Sequence, residues 1–346
     1  PKELEQSTVR SSMSGKKIPQ CLGIGLVLSM LYPSSLIALD KVSVGLSAVS
    51  AIFGIAWVTE DRGIFKKHGI DSEVIVIGGG AARGVSSLIA GDVQFLLGAG
   101  DAAINANLRG ADVVITASVL NKGVQRVMAR SELKRPEDLI GKNIGITRFG
   151  SAAHLVLLMM LKHWGMSAGQ IQMIQVGTSP AMVVSLDKGG IDAAVLTIPS
   201  VFVAEDRGYR VLADLDEMDI YYLNTMLETT RGYLRTHRDQ ATRFIKAFIE
   251  GIAYFKKNKK ESLDVLRKKL RTDGGGERHL EKSYDLLATK HYESVPYPSL
   301  KGVETVLDFL ARENPKAKGA DAKSFIDDRI VREIDASGFI KSLYNR

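Results

Sequence analysis

The chain has 346 residues, 45% of them hydrophobic and 25% charged; at about 150 residues per domain it makes two domains, each able to bury a core unaided. The single cysteine, Cys21, excludes a disulfide framework, a thiolate metal cluster or a cysteine nucleophile in the body of the protein. The net charge of +7 comes without a basic run; the densest cluster, at 256–260 and 267–271, is interleaved with Glu261 and Asp264 and reads as a solvated helix face, not a nucleic-acid surface.

The N-terminal region has the order of an export signal. Residues 1–12 are polar and aperiodic and read as a non-native upstream segment, with Met13 as the true start. Lys16 and Lys17 precede an apolar run (CLGIGLVLSMLY) that Pro33 breaks, and Ala38 offers a small residue for cleavage. A run of about a dozen residues is shorter than the roughly 20 that span a bilayer as a helix. The expectation is a signal peptide over 13–38 and a periplasmic protein secreted through the inner membrane, an uncleaved N-terminal anchor being the alternative.

The mature chain alternates strands and helices. Residues 41–46 (KVSVGL) read as a strand, 47–60 as a helix, 71–77 as a strand, 81–90 as a helix, 93–97 as a strand, 102–109 as a helix and 113–118 as a strand. After a polar turn at 136–141 the pattern restarts: strands over 143–147, 171–176, 193–196 and 210–213 separate helices over 151–164, 179–188 and 199–206. Short glycine-bearing loops between them mark a mostly parallel, helix-covered sheet in each half. From Thr229 the pattern turns helical: Ala241, Phe244, Ile245, Phe248, Ile252 and Phe255 recur at three- and four-residue steps over 238–257, with Thr236 and Asp239 as a capping box, and a further helix covers 300–313.

In open α/β sheets, ligands bind beyond the carboxyl ends of strands, where helix N-termini offer free N–H groups. Three loops fit: 47–50 after the first strand, 98–101 after the third, and 147–151 after the first strand of the second half. Ser47, Ser50 and Ser151 read equally as helix caps, and Gly98 and Gly100 as turn residues. Arg148 beside Phe149 has less structural excuse and suggests an anionic ligand, against which Asp101 stands. The run Gly78-Gly79-Gly80 lacks the remaining features of a nucleotide loop. None of the six histidines pairs at metal-ligand spacing, and no nucleophile motif occurs. His154 is the histidine near the expected cleft and reads as a hydrogen-bonded or solvated side chain.

Taken together, WVTEDRGIFKKHGIDSEVIVIGGG (57–80), LIAGDVQFLLGAGDAAINANLRGADVVITASV (88–119), LKRPEDLIGKNIGITRFGSAAHLVLLMMLKHWGM (133–166), TTRGYLRTHRDQATRFIKAFIEGIAYFKKNKKES (229–262) and VPYPSLKGVETVLDFLARENPKAK (295–318) resemble NMT1/THI5-like (sulfonate/nitrate/taurine-type) substrate-binding proteins of ABC transporters. The resemblance covers roughly 41–344. It implies an α/β, type II periplasmic-binding-protein fold: two Rossmann-like lobes joined by a two-segment hinge, with a helical C-terminal extension. Lobe 1 would comprise 41–124 and 226–346, lobe 2 residues 125–225, with hinge segments near 124–128 and 222–226. The solute would contact Ser47, Ser50, Gly100, Asp101, Arg148, Gly150, Ser151, Thr197 and Asn224. The implied partners are a small-molecule solute and a transporter permease, with no nucleic acid, no cofactor, no metal and no catalytic residue, in a monomer. The family also holds thiamine-pyrimidine-synthase-like enzymes with a cysteine-rich iron motif, which this chain lacks; such an enzyme, or a sensor domain on the same fold, is the alternative.

Overall fold

The computed structural model describes residues 39–271, 276–312 and 314–345. The expected upstream segment and signal peptide lie outside the described residues. Among the described residues no helix is long and apolar enough to cross a membrane.

The first lobe is built on β1 (Asp40–Leu46), α1 (Gly54–Asp61), α2 (Ile64–Lys67), β2 (Ile70–Val76), α3 (Ala81–Ala90), β3 (Phe95–Gly98), α4 (Gly100–Leu108) and β4 (Val113–Leu120). The second follows with β5 (Arg126–Ala129), β6 (Asn143–Ile146), α5 (Ala152–His163), β7 (Gln172–Gln175), α6 (Ser179–Asp187), β8 (Ala193–Leu196), α7 (Ser200–Asp206) and β9 (Arg210–Asp214). The chain then returns as β10 (Thr225–Thr230) and continues through α8 (Arg231–Thr236), α9 (Arg238–Lys257), α10 (Lys259–Leu270), α11 (Glu277–Leu286), α12 (Leu300–Leu310), α13 (Arg329–Ala336) and α14 (Phe339–Tyr344).

The two five-stranded sheets have the same plan, β2-β1-β3-β10-β4 and β7-β6-β8-β5-β9. The first three strands of each order run parallel, as the strand–helix–strand alternation requires. The fourth is antiparallel to both its neighbours. That fourth strand is in each case the segment that has just crossed from the other lobe, so each crossing is locked into the sheet it enters. The sequence pattern assigned no strand to either segment, and the resemblance set hinge segments near 124–128 and 222–226, over their starts; β5 and β10 are strands, and the chain crosses between sheets through 121–125 and 215–224.

The core follows the apolar periodicity. Ala241, Phe244, Ile245, Phe248, Ile252 and Phe255 of α9 are all buried, and the Phe244 ring stacks between Phe65 of α2 and Phe95 of β3 at centroid distances of 4.9 and 4.0 Å. α9 therefore nails the C-terminal extension to lobe 1. Two local expectations fail. Residues 47–50 are not helical, because a 3-10 turn over Ala51–Phe53 precedes α1. Thr236 does not cap α9: it closes α8 and donates its hydroxyl to the Gly232 carbonyl.

Candidate functional site

The loops after β1 and β3 of lobe 1 meet the loops after β6 and β8 of lobe 2. Ser50 begins the turn before α1 in an extended conformation (φ −159°, ψ 154°) and does not cap it. Its hydroxyl instead donates across the gap to the carbonyl of Ile198, at 3.1 Å. Both residues are buried, 4% and 1% exposed. Ser47, also buried, is held by its backbone: its N–H donates to the Leu97 carbonyl and its carbonyl accepts the Gly80 N–H, each at 3.1 Å.

At another point of the gap, Arg148 of lobe 2 lies over the β2–α3 loop of lobe 1. A Cβ on Gly79 would sit 3.1 Å from Arg148 Nη1, and one on Gly80 3.2 Å from Nη2. Both glycines have positive φ, +70° and +81°, which disfavours any side chain. The glycine run thus admits a guanidinium close to the backbone, a use its sequence alone did not reveal. Among the described residues Arg148 has no ion pair or hydrogen bond, so its donors are available in the gap.

Ser151 serves its own helix. It is the N-cap of α5, accepting from the His154 N–H at 3.4 Å and from the Thr147 hydroxyl at 2.7 Å, while donating to the Arg148 carbonyl at 2.6 Å. Gly150, exposed and at φ +76°, donates its N–H to Nδ1 of His154 at 3.1 Å. This bond requires an unprotonated Nδ1 and holds the loop that presents Arg148. Thr197, at the end of β8, has a buried hydroxyl with no partner among the described residues.

Asp101 lies in the first turn of α4, not in the preceding loop, and is 9% exposed. Its Oδ1 accepts the Tyr222 hydroxyl at 2.8 Å. Burial outweighs that bond and raises the carboxyl to about pKa 6. Gly100 starts the same helix, its N–H bonded to the Leu223 carbonyl at 2.9 Å; a Cβ there would strike Leu223 at 2.9 Å. Asp101 and Gly150 line one cleft of about 370 Å³, together with Ser86, Asn105 and Arg109. Behind Asp101, on β10, Glu228 is fully buried and neither carboxylate oxygen has a partner among the described residues. Burial first, then the Asp101 charge, pushes its carboxyl well above the ordinary range.

Asn224 sits where the chain returns to lobe 1. Its amide donates to Gln125 Oε1 at 2.7 Å and its carbonyl oxygen accepts the Thr225 hydroxyl at 3.1 Å. It therefore ties one crossing segment to the other. Sequence reasoning missed Gln125, Tyr222, the Ile198 carbonyl and the glycine seat; the Asp101–Tyr222 pair spans 121 positions and leaves no local pattern. Among the described residues no group of three or more His, Cys, Asp or Glu side chains could hold a metal ion.

The NMT1/THI5-like family model matches residues 52–262, more than half of the chain. The chain belongs to the NMT1/THI5-like family. Membership agrees with the resemblance carried by the β2–α3, β3–α4 and β6–α5 segments. The taurine-binding periplasmic protein of Escherichia coli is 31% identical over 170 residues, 48% of this chain and 52% of that protein, so the chain spans about half the length of this curated relative. Among solved structures, the periplasmic aliphatic sulphonate binding protein SsuA from Escherichia coli superposes with a TM-score of 0.67 at 16% identity, covering 85% of this chain and 99% of that one. The desulfurization enzyme DSZB superposes with a TM-score of 0.63 at 12% identity, covering 86% and 99%. The fold is thus the two-lobed periplasmic-binding-protein fold with a helical C-terminal region.

Proposed function

We propose that the chain is the extracytoplasmic solute-binding component of an ABC importer, taking a small organic solute between its lobes and delivering it to a permease. The observation that carries this reading is the convergence of strand-end loops from both lobes, with Ser50 bonded to Ile198 and Arg148 laid over Gly79 and Gly80. Family membership and the taurine-binding relative support it. In this reading the lobes of 41–124 with 226–346 and of 125–225 move relative to one another, apart from the segments at their junctions. The segments 121–125 and 215–224, joined by Asn224 and Gln125, are the hinge. The protein acts as a monomer in the periplasm.

Arg148, Asp101, Gly100, Gly150, Ser47, Ser151 and Thr197 line or shape the gap. Arg148, lacking a carboxylate partner, recruits an anionic head group. Asp101 opposes that anion when ionised and tolerates it when protonated, so affinity for an anion rises as pH falls through about 6. A cationic solute shows the reverse trend. A solute changes the lobe equilibrium only by its preference for the closed form.

The test is calorimetry with taurine, short alkanesulfonates, nitrate and simple amines, paired with spin-label distances between Ile89→Cys on α3 and Lys162→Cys on α5 in a Cys21→Ser background. Binding should populate the short-distance state at the expense of the long one. Saturable binding with an unaltered distance distribution would reject the clamshell account.

The thiamine-pyrimidine-synthase-like alternative lacks its cysteine-rich motif, since Cys21 is the sole cysteine. His154 is moreover committed through Nδ1 to Gly150. DSZB keeps a catalytic reading on this fold in play; solute recovered chemically unchanged after prolonged incubation separates binder from enzyme. A sensor role on the same fold would show itself as binding without stimulation of importer ATPase activity.

A further inference from the structure

Ser50 belongs by resemblance among the solute contacts, yet its hydroxyl is directed elsewhere. It donates to a carbonyl of the opposite lobe, in a spot where donor and acceptor residues are both buried. We propose that Ser50 is a closure residue rather than a solute contact, tying lobe 1 to the Ile198 carbonyl and holding a fraction of the protein shut before solute arrives. This deepens the clamshell reading and rests on it.

The surroundings of the bond support the assignment. The Ser50 hydroxyl has no local duty, since only the Ser50 carbonyl takes part in the turn that follows. Ile52 and Phe53 just after it and Val201 and Phe202 just after Ile198 belong to one continuous apolar cluster, which also takes in Leu280 and Tyr284 of the C-terminal extension. Further along, His279 Nε2 of α11 meets Asp206 Oδ2 of α7 at 2.7 Å, and Lys282 lies over the Phe202 ring. Lobe 2 is thus gripped here by protein groups on lobe 1 and its extension. At Arg148 the lobes touch without any hydrogen bond from the guanidinium. One contact between the lobes is complete without a solute, and the other has donors to spare.

Losing the hydroxyl leaves the Ile198 carbonyl unsatisfied when the lobes close, whereas the open form lets water reach it. One net hydrogen bond is worth about a fivefold change in an equilibrium constant. The affinity cost falls on every solute alike, because it enters through the fraction of protein in the competent state.

The experiment measures inter-lobe spin-label distances without solute, and dissociation constants for taurine and a short alkanesulfonate, in Ser50→Ala, Ser50→Thr and the parent. Ser50→Ala should shift the solute-free closed-to-open ratio about fivefold toward open and weaken both solutes by one common factor. Ser50→Thr keeps a hydroxyl on an extended backbone that accepts a β-branched side chain, and should restore both readings. An unchanged solute-free distribution in Ser50→Ala, or a loss confined to one solute, overturns the proposal. Should Ser50→Ala fail to fold, Asp206→Asn reports the same grip from the surface, with a shift of about twofold toward open; no shift there counts against it. The solute-free distances need no ligand, so they test the clasp even if calorimetry rejects the transport reading.

Discussion

The rims of the two lobes are built on the same strand order but carry opposite chemistry. Beyond β1 and β3, lobe 1 places hydroxyls and a buried carboxyl: Ser47, Ser50 and Asp101. Beyond β6 and β8, lobe 2 places a guanidinium, a helix cap and an unpartnered hydroxyl: Arg148, Ser151 and Thr197. The serines show the difference most clearly. Ser50 and Ser151 occupy corresponding loops, each after the central parallel strand of its sheet. One spends its hydroxyl across the gap and the other spends it on its own helix. Equivalent topology therefore does not transfer roles; the direction in which each hydroxyl finds its partner does.

Five substitutions at three places would break or sharpen this contrast. The largest effect is expected from the carboxyl of lobe 1. Its ordinary value of 3.8 becomes about 6 in the folded protein, so the unfolded chain releases its proton first. Stability from this group is complete below about pH 4 and is lost as pH rises through about 6, by on the order of 3 kcal/mol. Asp101→Asn keeps an acceptor for the Tyr222 hydroxyl and should remove that slope, making the variant the more stable protein at pH 8 in urea titrations. Glu228→Gln should act in the same sense and extend it to higher pH, because the Glu228 carboxyl is held well above its ordinary range. A pH dependence identical to that of the parent would show that neither carboxyl is as dehydrated as its burial implies.

The cation of lobe 2 comes next. Arg148→Ala should leave the melting temperature nearly unchanged and weaken an anionic solute at least about tenfold, the scale of a lost charge-assisted hydrogen bond. Gly79→Ala should weaken binding with the charge in place, since the new Cβ meets Nη1 at 3.1 Å on a backbone with φ +70°. Isothermal titration of both variants checks the pair; unaltered affinity in Arg148→Ala removes the cation from the site. The smallest effect is expected at the cap. Ser151→Ala should cost about 1 kcal/mol of stability, read by thermal melting, with no change in the solute-free lobe distances that Ser50→Ala is expected to shift.

Much of this architecture was readable in the residues. The helices α3 and α9 begin and end where the sequence pattern places them, α3 stopping at Gly91, and β8 coincides with its apolar run. What escaped was everything decided by distant partners. β5 and β10 are short and irregularly patterned, and they become strands only because the sheet they enter supplies edges on both sides. The start of α1 was misjudged because the helical spacing of 51–60 was extended back to Ser47, whereas the Ser47 backbone is held by Leu97 and Gly80 and the Ser50 hydroxyl by the Ile198 carbonyl. Asp101 stood out in the sequence as a candidate, but the phenol that faces it sits in the returning segment, and no periodicity joins the two. Asn224 was chosen for its nearness to the expected hinge, and its amide bonds Gln125 of the other crossing segment.

The insertion of β10 between β3 and β4 also dictates an order of assembly. The strands of the second sheet lie in one uninterrupted stretch, 126–214, whereas the first waits for a strand that lies beyond that stretch. As the chain emerges from its N-terminus, β3 and β4 are available long before the strand that separates them, and each offers a bare edge to any extended segment nearby. Until residue 230 arrives, the half made first is the half finished last, and that interval is when this protein most needs shielding from its neighbours.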